Sequence, residues 1–362
     1  MKIQRIETYS REQVSFVRVL TEDGAEGWGQ ISPYNADISA LVLHRQIAPL
    51  ALGQDALDTT SLCQRVIEGT YKFPGSYVCR ALAGLDTALW DLRGKVENKS
   101  VCELLGGTPR PYPVYGSSMR RDITPEAEAE RLVALREAYG FGAFKIRIGS
   151  VNGHDRDEWP GRTEALVPTV RKALGEDVTI LVDGNSCYTP RKAIEVGHML
   201  EEYRIGHFEE PCPYWELEWT AEVTRFLTMP VAGGEQDYDL NQWKRITWMH
   251  AVDIAQPDIC YIGGLTRALQ AAAMADYVGM PVVPHSANLS MVTVFTLHMM
   301  GAIPNAGPHI EYSIEPTPWA EGLYEPALRV VDGKVMIPSG PGWGVTINSD
   351  WLKGATFQAS VL

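Results

Sequence analysis

The chain has 362 residues, room for a barrel of roughly 250 residues plus a smaller domain, and its 45% apolar and 21% charged composition can bury a globular core. Forty-five acidic residues against 32 basic ones leave a net charge of -13, which repels nucleic acid and anionic membrane and excludes polyanion partners. A small carboxylate ligand is not excluded, because a local cation reverses the field around it.

Met1-Lys2-Ile3-Gln4-Arg5 runs directly into an alternating apolar pattern without the long apolar segment of a signal peptide or membrane span, so a cytoplasmic address and no membrane partner are expected. Residues 1 to about 32 read as three strands around the hairpin signal Glu22-Asp23-Gly24, and from about 37 to 97 the period shifts to that of helices. The six cysteines (Cys63, Cys79, Cys102, Cys187, Cys212 and Cys260) show no CxxC spacing, which argues against disulfides and structural zinc and for buried small hydrophobes.

Leu104-Leu105-Gly106-Gly107-Thr108-Pro109 ends this first α+β unit. Beyond it short apolar strands alternate with helical stretches, with strands near 114–115, 143–147, 178–183, 207–208, 230–232, 252–255, 281–283 and 308–310 and seven helices between them. The expected fold is α/β, a modified (β/α)8 TIM barrel of (βα)7β form whose missing last helix leaves closure imperfect. Residues 1–110 form the capping domain, 111–320 the barrel, and 321–362 a tail whose strands at 327–331 and 335–337 return to the capping domain.

Side chains at the C-terminal ends of barrel strands converge on the axis. Read in order, those ends carry Lys145 and Arg147, Asp183, Glu209, Glu235, Asp258, His285 and Glu311. Asp183, Glu209 and Glu235 recur every 26 residues, about one βα unit, so three carboxylates surround one point. Any one of them alone reads equally as a helix cap or surface acid; the recurrence is what argues for ligands. An all-oxygen set without thiolates suits Mg2+, with Mn2+ sharing the preference, and His285 comes too late in the chain to favour zinc or copper. Glu210, before Pro211, either braces the ligand shell or binds a nearby lysine.

These residues, with Ala81–Trp90, Leu104–Gly107, Val182-Asp183-Gly184-Asn185, Phe208-Glu209-Glu210-Pro211, Gly234-Glu235, Gln256-Pro257-Asp258, Gly263-Gly264 and Pro284-His285, resemble the mandelate racemase subgroup of the enolase superfamily over nearly the whole chain. The resemblance implies one Mg2+ on Asp183, Glu209 and Glu235, removal of a proton α to a carboxylate, a His285–Asp258 dyad, specificity loops in the capping domain, and a homo-oligomer, dimer or octamer. It further implies that Glu311 hydrogen-bonds the substrate carboxylate, for which Glu311 must be protonated.

The family's Lys-x-Lys pair is here Lys145-Ile146-Arg147. Alternation turns both 145 and 147 inward, but a guanidinium of pKa above about 12 is a poor base. Arg147 is thus read as a contact for a carboxylate or leaving group, Lys145 as an electrophile or substitute base, and His285, a neutral imidazole at about pH 7 to 8, as the base. With a base on one face only, dehydration of a sugar acid (aldonate or aldarate) to a 2-keto-3-deoxy acid is favoured over a racemase or epimerase, or a lactone cycloisomerase. Retention of every ligand and of the dyad argues against a barrel that only binds, and no Gly-rich turn follows a strand as a nicotinamide enzyme requires.

Asn185 hydrogen-bonds an α-hydroxyl or forms an Asx turn, and Ser117 and Ser118 touch distal hydroxyls or serve a turn. Ser32–Asp37, with Tyr34, is the expected lid. Gly149–Arg162 is either a solvated loop or one through which Arg156 and Trp159 reach substrate.

Overall fold

In the computed structural model, which describes residues 1–362, the chain opens with an antiparallel meander of β1 (Ile3–Ser10), β2 (Ser15–Thr21) and β3 (Glu26–Gln30). A helix over Ser76–Glu97 lies across β2 and β3, and Ile6, Val17, Val19, Ile31, Leu82, Leu85 and Leu89 close the capping core. The close approach depends on glycine in β3: a Cβ on Gly27 would collide with the Ala88 carbonyl of that helix.

The barrel strands are β4 (Pro111–Ser117), β5 (Ala143–Arg147), β6 (Thr179–Asp183), β7 (Phe208–Glu209), β8 (Val231–Gly233), β9 (Ile254–Ala255) and β10 (Ile310–Ser313), each of β4 to β8 pairing in parallel with the next. The seven expected helices intervene, the first over Pro125–Tyr139 and the last over Met291–Met300. Strand-outward residues such as Phe144, Ile146, Ile180 and Val182 join the main core, whereas Tyr115, Ala143, Leu181 and Val283 form a small apolar cluster inside the ring.

Three expectations need correction. Closure is not weakest at the missing helix, because β10 pairs in parallel with β4 over Ile310–Ser313 and Val114–Ser117. The weak point is the seventh strand, reduced to Val282, which bridges Ala255 and Ala306; Pro281 and Pro284 flank it and lack the N–H that would extend the ladder. The eighth strand starts at Ile310 rather than 308, so Glu311 stands inside it and not at its end.

The tail also divides. A hairpin of β12 (Val330–Val331) and β13 (Lys334–Met336) adds antiparallel to Pro111–Pro113 of β4, the stretch that β10 leaves uncovered, instead of returning to the capping sheet. β11 (Tyr324–Glu325) pairs with β14 (Thr346–Ile347), and only β15 (Thr356–Val361) reaches the capping sheet, antiparallel to β1. All six cysteines are buried and unpaired, and no helix is long and apolar enough to cross a membrane.

Two buried polar groups fix the tail against both domains. Asp91 accepts hydrogen bonds from the backbone N–H of Trp28 at 2.7 Å and of Trp343 at 3.0 Å. His298 is fully buried, its Nδ1 accepting from Cys102 N–H at 3.0 Å and its Nε2 lying 3.1 Å from the Trp343 carbonyl, which is the pattern of a neutral Nε2–H ring. Burial pushes its pKa from 6.5 down to about 4. Below pH 6.5 the unfolded chain gains a proton that the folded ring refuses, so stability falls as pH drops from 6.5 towards 4, by roughly 3 kcal/mol from this group. A His298→Asn protein should be less stable at pH 7.5 yet lose less on acidification; denaturant titrations at pH 7.5 and 5 that give both proteins the same acid-induced loss would contradict this.

Candidate active site

Asp183 closes β6, Glu209 closes β7, and Glu235 follows β8 by two residues, so the three project from neighbouring strands to one point. All three are buried, and one oxygen from each lies within 4.8 Å of the others. Three carboxylates so close require cations. Lys145 supplies one, with Nζ 2.5 Å from Glu209, 2.9 Å from Glu311 and 3.9 Å from Asp183; the Arg147 guanidinium supplies another against Asp183. Both point inward because they are two apart on β5.

Burial opposes ionisation at Glu209 and Glu235, but neighbours divide them. Lys145 overcomes burial at Glu209 and holds it well below the usual range, while Glu235 remains raised. Glu210 is raised well above its ordinary value by burial and by Glu235 and Glu209, and its Oε1 has no hydrogen-bond partner. Gln256 donates from Nε2 to Glu209 at 2.7 Å. An all-oxygen set of converging carboxylates, buried and without thiolates, fits a hard divalent cation of the Mg2+ type.

Asp258 is not at a strand end. It caps the one-turn helix Ile259–Ile262, its Oδ1 accepting from Cys260 N–H at 2.7 Å and Tyr261 N–H at 2.9 Å. The same anchoring aims Oδ2 at His285 Nδ1, 2.7 Å away, and leaves Nε2 3.6 Å from Glu235. Burial pulls the imidazole pKa down, but Glu235 and Asp258 outweigh burial and raise it to about 10 when no cation stands on Glu235. A divalent cation on Glu235 would offset the carboxylate charge that contributes most to this rise.

Glu311 departs from expectation. It is ionised, because Lys145 and His285 overcome its burial and push its pKa down to about 2, and its oxygens accept from Ser117 Oγ, Ser286 N–H and Lys145. Ser117 Oγ donates to Glu311, and Ser118 Oγ accepts from Arg131 at 2.6 Å and from the Arg120 N–H. Asn185 does not make an Asx turn of its own: its N–H donates at 2.7 Å to Asp183 Oδ1, so the turn belongs to Asp183, while Asn185 Oδ1 accepts from Arg147 at 3.2 Å and Arg121 at 2.8 Å.

The lid loop meets the barrel through Tyr34, whose ring packs edge-on against Trp319 at 5.6 Å. In the loop after β5, Asp155 and Asp157 accept from Thr189 and Thr163 at helix starts, and Arg156 bonds within the loop to Gly153. Gln256, Arg121 and Ser286 were not singled out from sequence. Gln256 had a signal, since it stands in the Gln-Pro-Asp triplet before Asp258; Arg121 and Ser286 had none.

Comparison with known proteins follows this geometry. Residues 3–106 match the mandelate racemase / muconate lactonizing enzyme N-terminal domain, and residues 127–351 the enolase C-terminal domain-like model. The chain is 55% identical to a proposed racemase of known structure from Roseobacter denitrificans, with a TM-score of 0.99 and both chains covered in full. It is 29% identical to an arabinonate dehydratase of Saccharolobus solfataricus, over 92% of this chain and 88% of that one. It is 30% identical to a D-galactarolactone cycloisomerase of Agrobacterium fabrum, over 95% and 91% respectively. Relatives named for three different reactions share this architecture, so family membership fixes the fold and the metal-dependent chemistry while leaving the outcome to individual side chains. The chain is a metal-dependent enzyme of the enolase superfamily, in its mandelate racemase and muconate lactonizing enzyme group.

Proposed function

We propose that this enzyme dehydrates a sugar acid, an aldonate or aldarate, to its 2-keto-3-deoxy acid. The observation that carries the reading is the inequality of the two sides of the site. One side presents an imidazole oriented by Asp258; the other presents Lys145 and Arg147, each held against carboxylates. Burial lowers the Lys145 pKa, but Glu209 and Glu311 more than reverse this and leave it raised, and a guanidinium is a poorer base still.

Asp183, Glu209 and Glu235 would hold Mg2+, which supplies charge stabilisation for the substrate carboxylate as its α-proton leaves. His285 Nε2, its tautomer fixed by Asp258, takes that proton. The same ring, now protonated, is placed to return it to the departing β-hydroxyl, so one residue serves both halves of a syn elimination. Lys145 stabilises negative charge at the carboxylate end, with Glu311 setting its position, and Arg147 faces the substrate as a fixed cation. Racemisation asks for a proton acceptor on each face, and the Arg147 face supplies none. The names of the arabinonate dehydratase and galactarolactone cycloisomerase relatives support a polyhydroxylated acid as substrate.

Two outcomes follow. Removal of metal with a chelator should abolish turnover and Mg2+ restore it, Mn2+ substituting in part; Glu235→Gln should lower bound metal and cut kcat/KM at least 10- to 100-fold. Full activity without metal, or unchanged metal content in the variant, would overturn the ligand assignment. His285→Asn should lose 2-keto acid formation and exchange of the α-proton with D2O together, because both need the same base. Exchange that survives without keto acid would make Lys145 the base and His285 the acid.

A further inference from the structure

Arg80 belongs to the capping-domain helix, yet its guanidinium lies 3.6 Å from the ring centroid of Tyr261, in the one-turn helix that Asp258 caps on the barrel. The Tyr261 ring in turn lies 5.7 Å from the His285 imidazole, centroid to centroid. On its other side Arg80 Nη1 donates to Ser32 Oγ at 2.6 Å, and Ser32 begins the lid loop whose Tyr34 packs on Trp319 beyond β10. Arg80 therefore stands where lid, capping helix and the His285 wall meet.

Its bonding is incomplete. Arg80 makes no ion pair with a carboxylate, although acids outnumber bases by 45 to 32, and its hydrogen bond to Ser32 uses one of five N–H donors. Of the other two arginines near the site, Arg121 is held by Asn185 and the Gly149 carbonyl, and Arg147 stands beside Asp183 at the metal-ligand end, where the first carboxylate binds. Arg80 is partly exposed with its guanidinium carbon over the Tyr261 ring, and a guanidinium's planar fork of donors suits bidentate recognition of a carboxylate.

We infer that Arg80 receives the distal carboxylate of the substrate, and hence that the substrate is a diacid sugar, an aldarate, rather than an aldonate. The inference rests on the acid-sugar reading of the site. Lengths agree with it. The stacked arrangement puts the guanidinium within about 9 Å of the imidazole. Four carbon–carbon bonds separate C2 from C6 of a six-carbon diacid and span roughly 5 Å when extended; with contacts of about 3 Å at each end the acid reaches up to about 11 Å, so it covers this shorter distance in a bent conformation. Charge agrees as well, since a second carboxylate entering a protein of net charge -13 needs its own cation, the metal and Lys145 being engaged at the first. A distal phosphate, with nearly two charges and three oxygens, would ask for more than this single cation.

The test compares a six-carbon aldarate with the aldonate of identical configuration, which differs only by a terminal carboxylate in place of CH2OH. Mg2+-loaded wild-type enzyme should favour the aldarate by about 10- to 100-fold in kcat/KM, and Arg80→Gln should erase the preference by raising KM for the aldarate, with Arg80→Lys restoring part of it. A loss in kcat shared by both substrates would mean that Arg80 only positions Tyr261 and His285, and would overturn the inference, as would a wild-type enzyme indifferent to the terminal group. Calorimetric binding of both acids to Mg2+-loaded His285→Asn enzyme, with and without Arg80→Gln, reads the contact apart from turnover. Tighter aldarate binding that depends on Arg80, together with wild-type enzyme that dehydrates no acid sugar, would keep the contact and reject the dehydratase reading instead.

Discussion

Asp183, Glu209 and Glu235 are buried within 4.8 Å of one another, and this crowding of negative charge governs the rest of the site. At an effective dielectric of about 20, each ionised pair at that distance repels by roughly 3 kcal/mol, a large cost beside a total stability of about 5–15 kcal/mol. The fold tolerates it because cations are built in beside the acids. Lys145 bridges Glu209 and Glu311, and Arg147 rests on Asp183. The same crowding makes the point attractive to a small divalent ion, and a metal arriving there would free Lys145 and Arg147 to face an anionic substrate.

The second consequence is the inequality of the two faces. β5 offers only permanent cations, and the His285 side offers a ring whose protonation state answers to its neighbours. Asp258 orients that ring from a helix cap, so the positioning of the base depends on backbone N–H groups of Cys260 and Tyr261 as much as on any side chain. Chemistry that takes and returns a proton on one side fits such a site better than chemistry that hands a proton through the substrate.

Much of this was legible in the sequence because barrel strands are periodic. Acids placed after short apolar runs, one βα unit apart, announced Asp183, Glu209 and Glu235, and the alternation of Lys145 and Arg147 announced their common face. What escaped was charge state and cross-domain contact. Glu311 was expected to be protonated and His285 neutral, but each is set by partners distant in sequence, Lys145 for the first and Glu235 for the second. Arg80 carries no local pattern, since it meets Tyr261 only when a capping helix docks on the barrel. The tail was misplaced for a similar reason: β13 follows the uncovered Pro111–Pro113 edge of β4, and no property of residues 334–336 alone reveals which edge stands open.

The account turns on proton transfer from one face leading to loss of water. Its most direct test follows wild-type, Mg2+-loaded enzyme with a panel of acid sugars in D2O by proton NMR. The account predicts 2-keto-3-deoxy acid carrying deuterium at C3, with recovered substrate unchanged in configuration at C2. Accumulation of the C2 epimer with no keto acid from any member of the panel would contradict it.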